Sequence, residues 1–452
     1  MKIKIVIYTI SALMLTGCNV YSQYHRTENA MPDSYRGMAA DADTATIASM
    51  PWRDMFNDSK LLPMIETALK QNQDLNVARL KVKEAEAALA AAKLAYTPSL
   101  SLNADGNVSR YDGTTTKTYN IGTAASWELD IFGRLTATKR GAFASMQENM
   151  AYQQAVQTQL VATVANTYYT LARLDAQMEI NNRTLDNWLA TVRTLEALKR
   201  AGMANEAGVL QAKANVMQLQ SSQLSIKKSI SETENAMSVM LGMPPHTIER
   251  NAIAETSLPD TISIGIPVQL LANRPDVRQA EMALMQAFYS VNVAHAAFYP
   301  NVTLSGTLGW TNNGGGVIVN PGQWLLNAIG SLTQPLFNRG ANTVNLKIAQ
   351  ARQEEALLLF HKALLNAGKD VNDALTAYQT AKSQYETNTR LVETQREVVR
   401  KTELLMRHST TTYLEILTAQ QSLLEAETQQ LQSYFDTIQS WINLYHALGG
   451  GW

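Results

Sequence analysis

The sequence predicts a mixed fold of long coiled-coil α-helices joined to transmembrane β-hairpins, built by internal duplication. Three observations carry that prediction. Proline-free stretches hold an apolar period of seven, short segments alternate apolar and polar residues, and the second half of the chain repeats the plan of the first.

Composition narrows the function classes. The 452 residues carry 38 basic and 39 acidic side chains, so nothing marks a nucleic-acid partner. The single cysteine, Cys18, excludes intrachain disulfides and cysteine-based zinc clusters. The six histidines are scattered and form no local metal motif. No cofactor is expected.

The N-terminus is an address. Lys2 and Lys4 precede an apolar stretch at residues 5–15, too short to span a bilayer and suited to a secretory signal. It ends in Leu15-Thr16-Gly17-Cys18, which is similar to the bacterial lipoprotein box. That resemblance implies removal of residues 1–17 and acylation of Cys18. Asn19 stands where an inner-membrane retention signal commonly has Asp, so outer-membrane delivery is expected.

The duplication is read from matched segments. Ala95-Tyr96-Thr97-Pro98 corresponds to Ala297-Phe298-Tyr299-Pro300, Ile131-Phe132-Gly133-Arg134 to Leu336-Phe337-Asn338-Arg339, and Leu241-Gly242 to Leu448-Gly449. The expected organisation is an N-terminal lipidated segment at 18–60, a first repeat at 61–250, a proline-rich linker at 251–275 and a second repeat at 276–452. Each repeat should hold a helix, a β-hairpin and a long helix pair.

The helices follow from what they lack. No glycine occurs in residues 142–201 or 369–448, and no proline after Pro335. Leu357, Leu364, Val371, Tyr378, Tyr385, Val392, Val399 and Met406 keep a strict heptad, and the equivalent first-half positions from Met150 to Lys199 are mostly apolar. Sustained heptads mean supercoiled packing. About 60 such residues make a helix of about 90 Å. Ala367, Ala374 and Ala381 would let neighbouring helices approach closely.

The strands alternate. Leu100, Leu102, Ala104, Gly106 and Val108 share one face, and Tyr119, Ile121, Thr123, Ala125, Trp127, Leu129 and Ile131 share one on the return. Val302, Leu304, Gly306, Leu308 and Trp310 do the same in the second repeat, while residues 324–336 are less regular, with Trp324, Leu326, Ala328 and Leu332 on the apolar face. This is the pattern of transmembrane β-strands, with Tyr111, Tyr119, Trp127, Trp310 and Trp324 as an aromatic girdle. Four strands cannot close a barrel, and an open edge in lipid leaves backbone groups unpaired. Several chains must therefore share one barrel, which makes the protein a cyclic oligomer and a conduit.

Four motifs in order then place the chain. They are Trp127-Glu128-Leu129-Asp130-Ile131-Phe132-Gly133-Arg134, Arg274-Pro275-Asp276-Val277-Arg278-Gln279-Ala280-Glu281, Gln334-Pro335-Leu336-Phe337-Asn338-Arg339-Gly340 and Ala447-Leu448-Gly449-Gly450-Gly451-Trp452. With them the chain resembles the TolC-type outer-membrane channels, in particular the lipoprotein (NodT-like) branch that serves RND-type efflux pumps. The resemblance implies a homotrimer with a shared twelve-stranded barrel and a helical periplasmic tunnel. It also implies a periplasmic adaptor and an inner-membrane pump as partners. Glu415 matches an acidic position of the family's periplasmic gate, and Thr418 stands where relatives often have Asp. The turns at Arg200-Ala201-Gly202-Met203 and at Arg407-His408-Ser409-Thr410 match the tunnel tip where adaptors dock. Export of proteins by the secretion branch of the family, and a pump-independent pore, remain second readings. An enzyme is not expected, although Glu128 and Asp130 form a carboxylate pair on one strand face. The methionines are expected to fill gaps between helices.

Overall fold

The computed structural model describes residues 22–26, 47, 50–253, 273–312, 323–335, 337–407 and 412–451. Cys18, the signal segment, most of the linker and residues 408–411 lie outside them. The elements run α1 (Trp52–Met55), α2 (Leu61–Gln71), α3 (Gln73–Leu94), β1 (Ser99–Tyr111), β2 (Thr114–Leu129), α4 (Arg134–Arg200) and α5 (Glu206–Met240). They continue with α6 (Pro275–Ala296), β3 (Asn301–Thr311), β4 (Gln323–Thr333), α7 (Ala341–Arg407) and α8 (Tyr413–Ala447). Helices α4 and α7 each hold 67 residues and α5 and α8 each 35, so the long helix pair of the first repeat recurs at the same lengths in the second.

The chain forms two compact units, and both draw on both repeats. One comprises residues 1–29, 80–151 and 278–362, and it contains the sheet. Its four strands are antiparallel in the order β1-β2-β3-β4. The first hairpin turns tightly at Asp112-Gly113, both with positive φ (46° and 74°), the conformation that matches the twist of paired strands. The register sets Trp310 opposite Trp324, Leu308 opposite Leu326 and Val302 opposite Leu332 on one face. Ile121, Thr123, Ala125 and Trp127 continue that face on β2. Ile121, Trp127, Leu308, Trp324, Leu326 and Leu332 on this face are exposed in the single chain, and Val302 and Trp310 are half-buried. β4 departs from the expected pattern: it ends at Thr333 and puts Leu325 and Ile329 on the face otherwise held by Gly309, Thr307 and Ser305.

Glu128 and Asp130 are structural. Glu128 accepts from Arg134 at 2.8 and 2.5 Å. Asp130 ends the strand and caps α4, accepting from the backbone N–H groups of Leu135 and Thr136 at 2.8 Å each. A carboxylate at that place satisfies free N–H groups and the positive end of the helix dipole.

The other unit comprises residues 30–79, 152–277 and 363–452. Its core brings Phe56 and Ile65 against Tyr168 and Leu171 of α4, Met237 of α5 and Trp441 of α8. Heptad positions Val164, Leu171, Leu364, Val371 and Val392 are buried as expected, with Ala367 and Ala381 beside them. Met150, the first position of the heptad in the first repeat, is instead exposed. Arg274, the first residue of the second motif, is buried. It donates to Asp276 (3.0 and 2.6 Å), Asp370 (3.1 Å) and the Ala447 carbonyl (3.0 Å), tying α6, α7 and the end of α8 together. Burial opposes ionisation of Asp276, but the Arg274 guanidinium outweighs it and holds the carboxyl below its usual range. Burial and the Arg274 charge push the neighbouring His446 imidazole down.

Candidate functional site

The tip of the α4–α5 pair is built by local rules. Gly202 has φ +71°. Met203 N–H donates to the Leu198 carbonyl at 2.9 Å and Gly202 N–H to that of Lys199 at 3.0 Å. This is a Schellman ending, which needs a left-handed residue at that place. Asn205 restarts the chain by capping α5, its side chain accepting from Gly208 N–H at 2.9 Å. Lys199 pairs with Glu206, and Lys213 with Glu196 at 2.7 Å, stapling the two helices. Arg200, Gly202 and Met203 thus share one exposed turn, where Met203 is 67% exposed. Arg407 is the last residue of α7, and the rest of its turn lies outside the described residues.

Glu415 and Thr418 occupy the first turns of α8, three residues apart and both exposed. That spacing puts them on one helix face. The Thr418 hydroxyl donates to the Leu414 carbonyl at 2.9 Å, within its own helix. Sequence reasoning missed what holds this turn. Tyr413 lays its ring on Gly208 of α5 and donates its hydroxyl to Asn205 at 3.0 Å. Asn205 ahead of a helix was a readable cap signal, but nothing local marks Tyr413 as its partner. Further along α8, buried Glu427 accepts from Arg183 of α4 at 2.7 Å and from Arg396 of α7 at 2.9 Å. A buried carboxylate shared by two guanidiniums fixes α8 between its neighbours.

In the sheet-bearing unit, residues 22–26 run along α6 in the opposite direction. Ser22 and Asn292 exchange hydrogen bonds at 3.0 and 2.8 Å. Tyr24 meets Phe288 edge-on with ring centroids 5.7 Å apart. Burial, and then the Glu281 charge, push the Tyr24 phenol up to about 12. Arg26 grips the buried Glu281 with two parallel bonds, Nε to Oε1 at 2.5 Å and Nη2 to Oε2. The segment at residues 22–26, four residues beyond Cys18, is therefore strapped to the fold. Glu281→Gln should loosen the strap, because a hydrogen bond to a charged group contributes about 1.5–3 kcal/mol. Trypsin cleavage after Arg26 should rise by about 10- to 100-fold, since cleavage follows the open population. Equal rates in the two proteins would show that the pair does not hold the strap.

Comparison with known proteins agrees with this geometry. The family model "Outer membrane efflux protein" matches residues 64–243 and 266–450, one stretch for each repeat. The chain is 30% identical over 385 residues to the cation efflux system protein CusC of Escherichia coli (strain K12), covering 82% of this chain and 83% of that one. It is 28% identical over 455 residues to the solvent efflux pump outer membrane protein SrpC of Pseudomonas putida, covering 97% of both. The open state of the Neisseria gonorrhoeae MtrE outer membrane channel superposes with a TM-score of 0.86 at 26% identity, over 95% of this chain and 98% of that one. The chain belongs to the outer membrane efflux protein family, a family of channels and not of enzymes.

Proposed function

We propose that this chain is the exit duct of a tripartite efflux system, acting as a lipid-anchored homotrimer in the outer membrane. Small molecules would enter from an inner-membrane RND-type pump through a periplasmic adaptor. The observation that carries the reading is the four-stranded sheet, apolar on one face, with β1 and β4 as its two edges. A sheet in lipid must close, and single-chain barrels need about eight strands or more. Three copies joined β4 to β1 give twelve.

Efflux of cations by CusC and of solvents by SrpC supports small molecules as the cargo, and the choice among them would be made by the pump. Cys18 carries the anchor, and the strap at residues 22–26 starts four residues after it. Arg200, Gly202, Met203 and Arg407 form the adaptor contact at the tip. Glu415 and Thr418 line the periplasmic gate, where three copies of Glu415 make a negative ring that favours cations.

The test is single-channel recording of the detergent-extracted protein in a planar bilayer, with native mass measured in parallel. A trimer with small, cation-selective openings is expected, and Glu415→Gln should lower the cation preference. Unchanged selectivity would remove Glu415 from the gate. A monomer without conductance would overturn the shared barrel.

A further inference from the structure

The first hairpin outreaches the second. β1 holds 13 residues and β2 16, against 11 each in β3 and β4. The β2–β3 ladder stops at Asn120 opposite Thr311, so residues 114–119 of β2 form a strand pair with β1 alone. Asn312 braces the base of this projection. Its side chain accepts from Tyr119 N–H at 2.8 Å and donates to the Lys117 carbonyl at 2.8 Å. Held there, and paired with Val108 on the other side, Lys117 has a fixed place.

The register puts charge on one face of the projection. Arg110 follows Leu100, Leu102, Ala104, Gly106 and Val108 on the apolar face of β1, and Lys117 precedes Tyr119, Ile121 and Trp127 on the same face of β2. They are the two charged residues on that face of the four strands. Lys117 stands opposite Val108 and Arg110 opposite Thr115. The cations are therefore diagonal neighbours on adjoining strands, about 7–8 Å apart at the backbone. Both are exposed, and among the described residues neither has an ion-pair partner. Asp105 lies on the other face and accepts from Asn120 at 2.8 Å. Asp112, in the turn, pairs with neither cation. Two like charges this close repel, and an anion set between them relieves the repulsion.

Aromatic residues on the same face give the height. Trp127 and Tyr119 are eight residues apart on β2, about 27 Å along the strand. At a tilt of about 40° that is about 20 Å across the membrane, most of a lipid-facing band of about 25 Å. Lys117 lies about 7 Å beyond Tyr119, where the apolar band gives way to headgroups. β1 follows α3 and β2 leads into α4, so the helices join the hairpin at one end and its tip is the other. With the helices on the periplasmic side, the layer beside the tip is the outer leaflet. The second hairpin has no charged residue between Asn301 and Thr333, so it offers these cations no acid.

We propose that Arg110 and Lys117 bind the phosphate headgroup of an anionic outer-leaflet lipid, one site on each protomer. The Arg fork matches a phosphate in two-point contact, and Lys adds a compact second charge. The acyl chains of the lipid lie along the apolar face below, past Val108 and Tyr119. A free phosphate would use the same cations but not that face. The proposal rests on the reading of the sheet as a membrane barrel and adds a lipid of stated headgroup chemistry and the residues that hold it.

The experiment is a binding titration of the purified full-length protein in uncharged detergent, with native mass measured alongside. The probes are diphosphorylated lipid A, the same lipid stripped of its phosphates, and inorganic phosphate. Wild type should bind the phosphorylated lipid, less tightly as salt is raised. Arg110→Gln and Lys117→Gln should each weaken binding about fivefold, and the double variant about 30-fold. Lys362→Gln combined with Lys382→Gln removes as much charge from exposed positions on α7 and should change nothing. All variants should remain trimers, and the single variants decide the matter should the double variant assemble poorly. Trimers that bind the phosphorylated lipid equally with and without the two cations would overturn the site and leave the shared barrel standing. Equal binding of the stripped lipid would overturn it as well, since the apolar face alone would then hold the lipid. Inorganic phosphate that displaces the lipid at matching concentration would make the pair a free-anion site and overturn the lipid assignment. A wild-type monomer would overturn both the site and the barrel.

Discussion

Gly309→Ala should abolish assembly of the membrane sheet. Gly309 of β3 is buried directly opposite Gly122 of β2. A Cβ there would lie 2.2 Å from the Ile121 carbonyl oxygen and 2.5 Å from the Gly122 Cα. Both obstacles are backbone, so no rotamer change relieves them, and the strands would have to part. Overpacking a core costs about 1–3 kcal/mol even where side chains can yield. Here the cost falls on the one strand pair that joins the hairpins of the two repeats, and in a trimer it would fall three times. The expected result is loss of heat-stable oligomer from the outer-membrane fraction, with the protein degraded or held in inclusions. Gly106→Ala is the matched control: its nearest neighbour is the Thr118 carbonyl oxygen at 3.7 Å, ordinary contact distance. Normal oligomer from Gly309→Ala would mean that the two strands are less closely set than described.

The sequence exposed the elements through their periodicity and hid what depends on contact between distant segments. The heptad from Leu357 to Met406 and the alternation from Leu100 to Val108 are repeated local signals, and α7 and β1 follow them. β4 was harder because Leu325 and Ile329 break the alternation. Opposite Leu325 stands Gly309, which has no side chain, so the apolar residue there follows a cross-strand vacancy that one strand cannot reveal. The N-terminal strap was equally invisible. Ser22, Tyr24 and Arg26 show no period, and their partners Asn292, Phe288 and Glu281 are more than 250 residues away. Glu281 was legible as part of a family motif, but its burial and its pairing with Arg26 were not. The tip residues fall between these cases. Gly202 was legible as part of a turn that resembles the family's tunnel tip, whereas the seat of Tyr413 on Gly208 needed three dimensions.

That seat makes the second large prediction. The gate proposed at Glu415 and Thr418 would lie on a helix that begins at Tyr413, and what anchors Tyr413 sets how freely the first turn moves. A Cβ on Gly208 would lie 2.4 Å from Tyr413 Cε2 and 2.7 Å from Cζ. Gly208→Ala must therefore lift the ring, and lifting it also draws the hydroxyl away from Asn205. Tyr413→Phe removes only the hydrogen bond, a loss of about 0.5–1.5 kcal/mol, and leaves the ring in place. Single-channel recordings should rank the proteins: wild type mostly closed, Tyr413→Phe open somewhat more often, and Gly208→Ala open most. If closure depends on this contact, each 1.4 kcal/mol removed shifts the closed-to-open ratio about tenfold. Trimer content should stay unchanged, because the contact lies within one chain. Identical gating in all three proteins would separate the Tyr413 contact from closure, and the control of Glu415 would then have to come from elsewhere, with the Arg183–Glu427–Arg396 bracket further up the same helix the next place to cut.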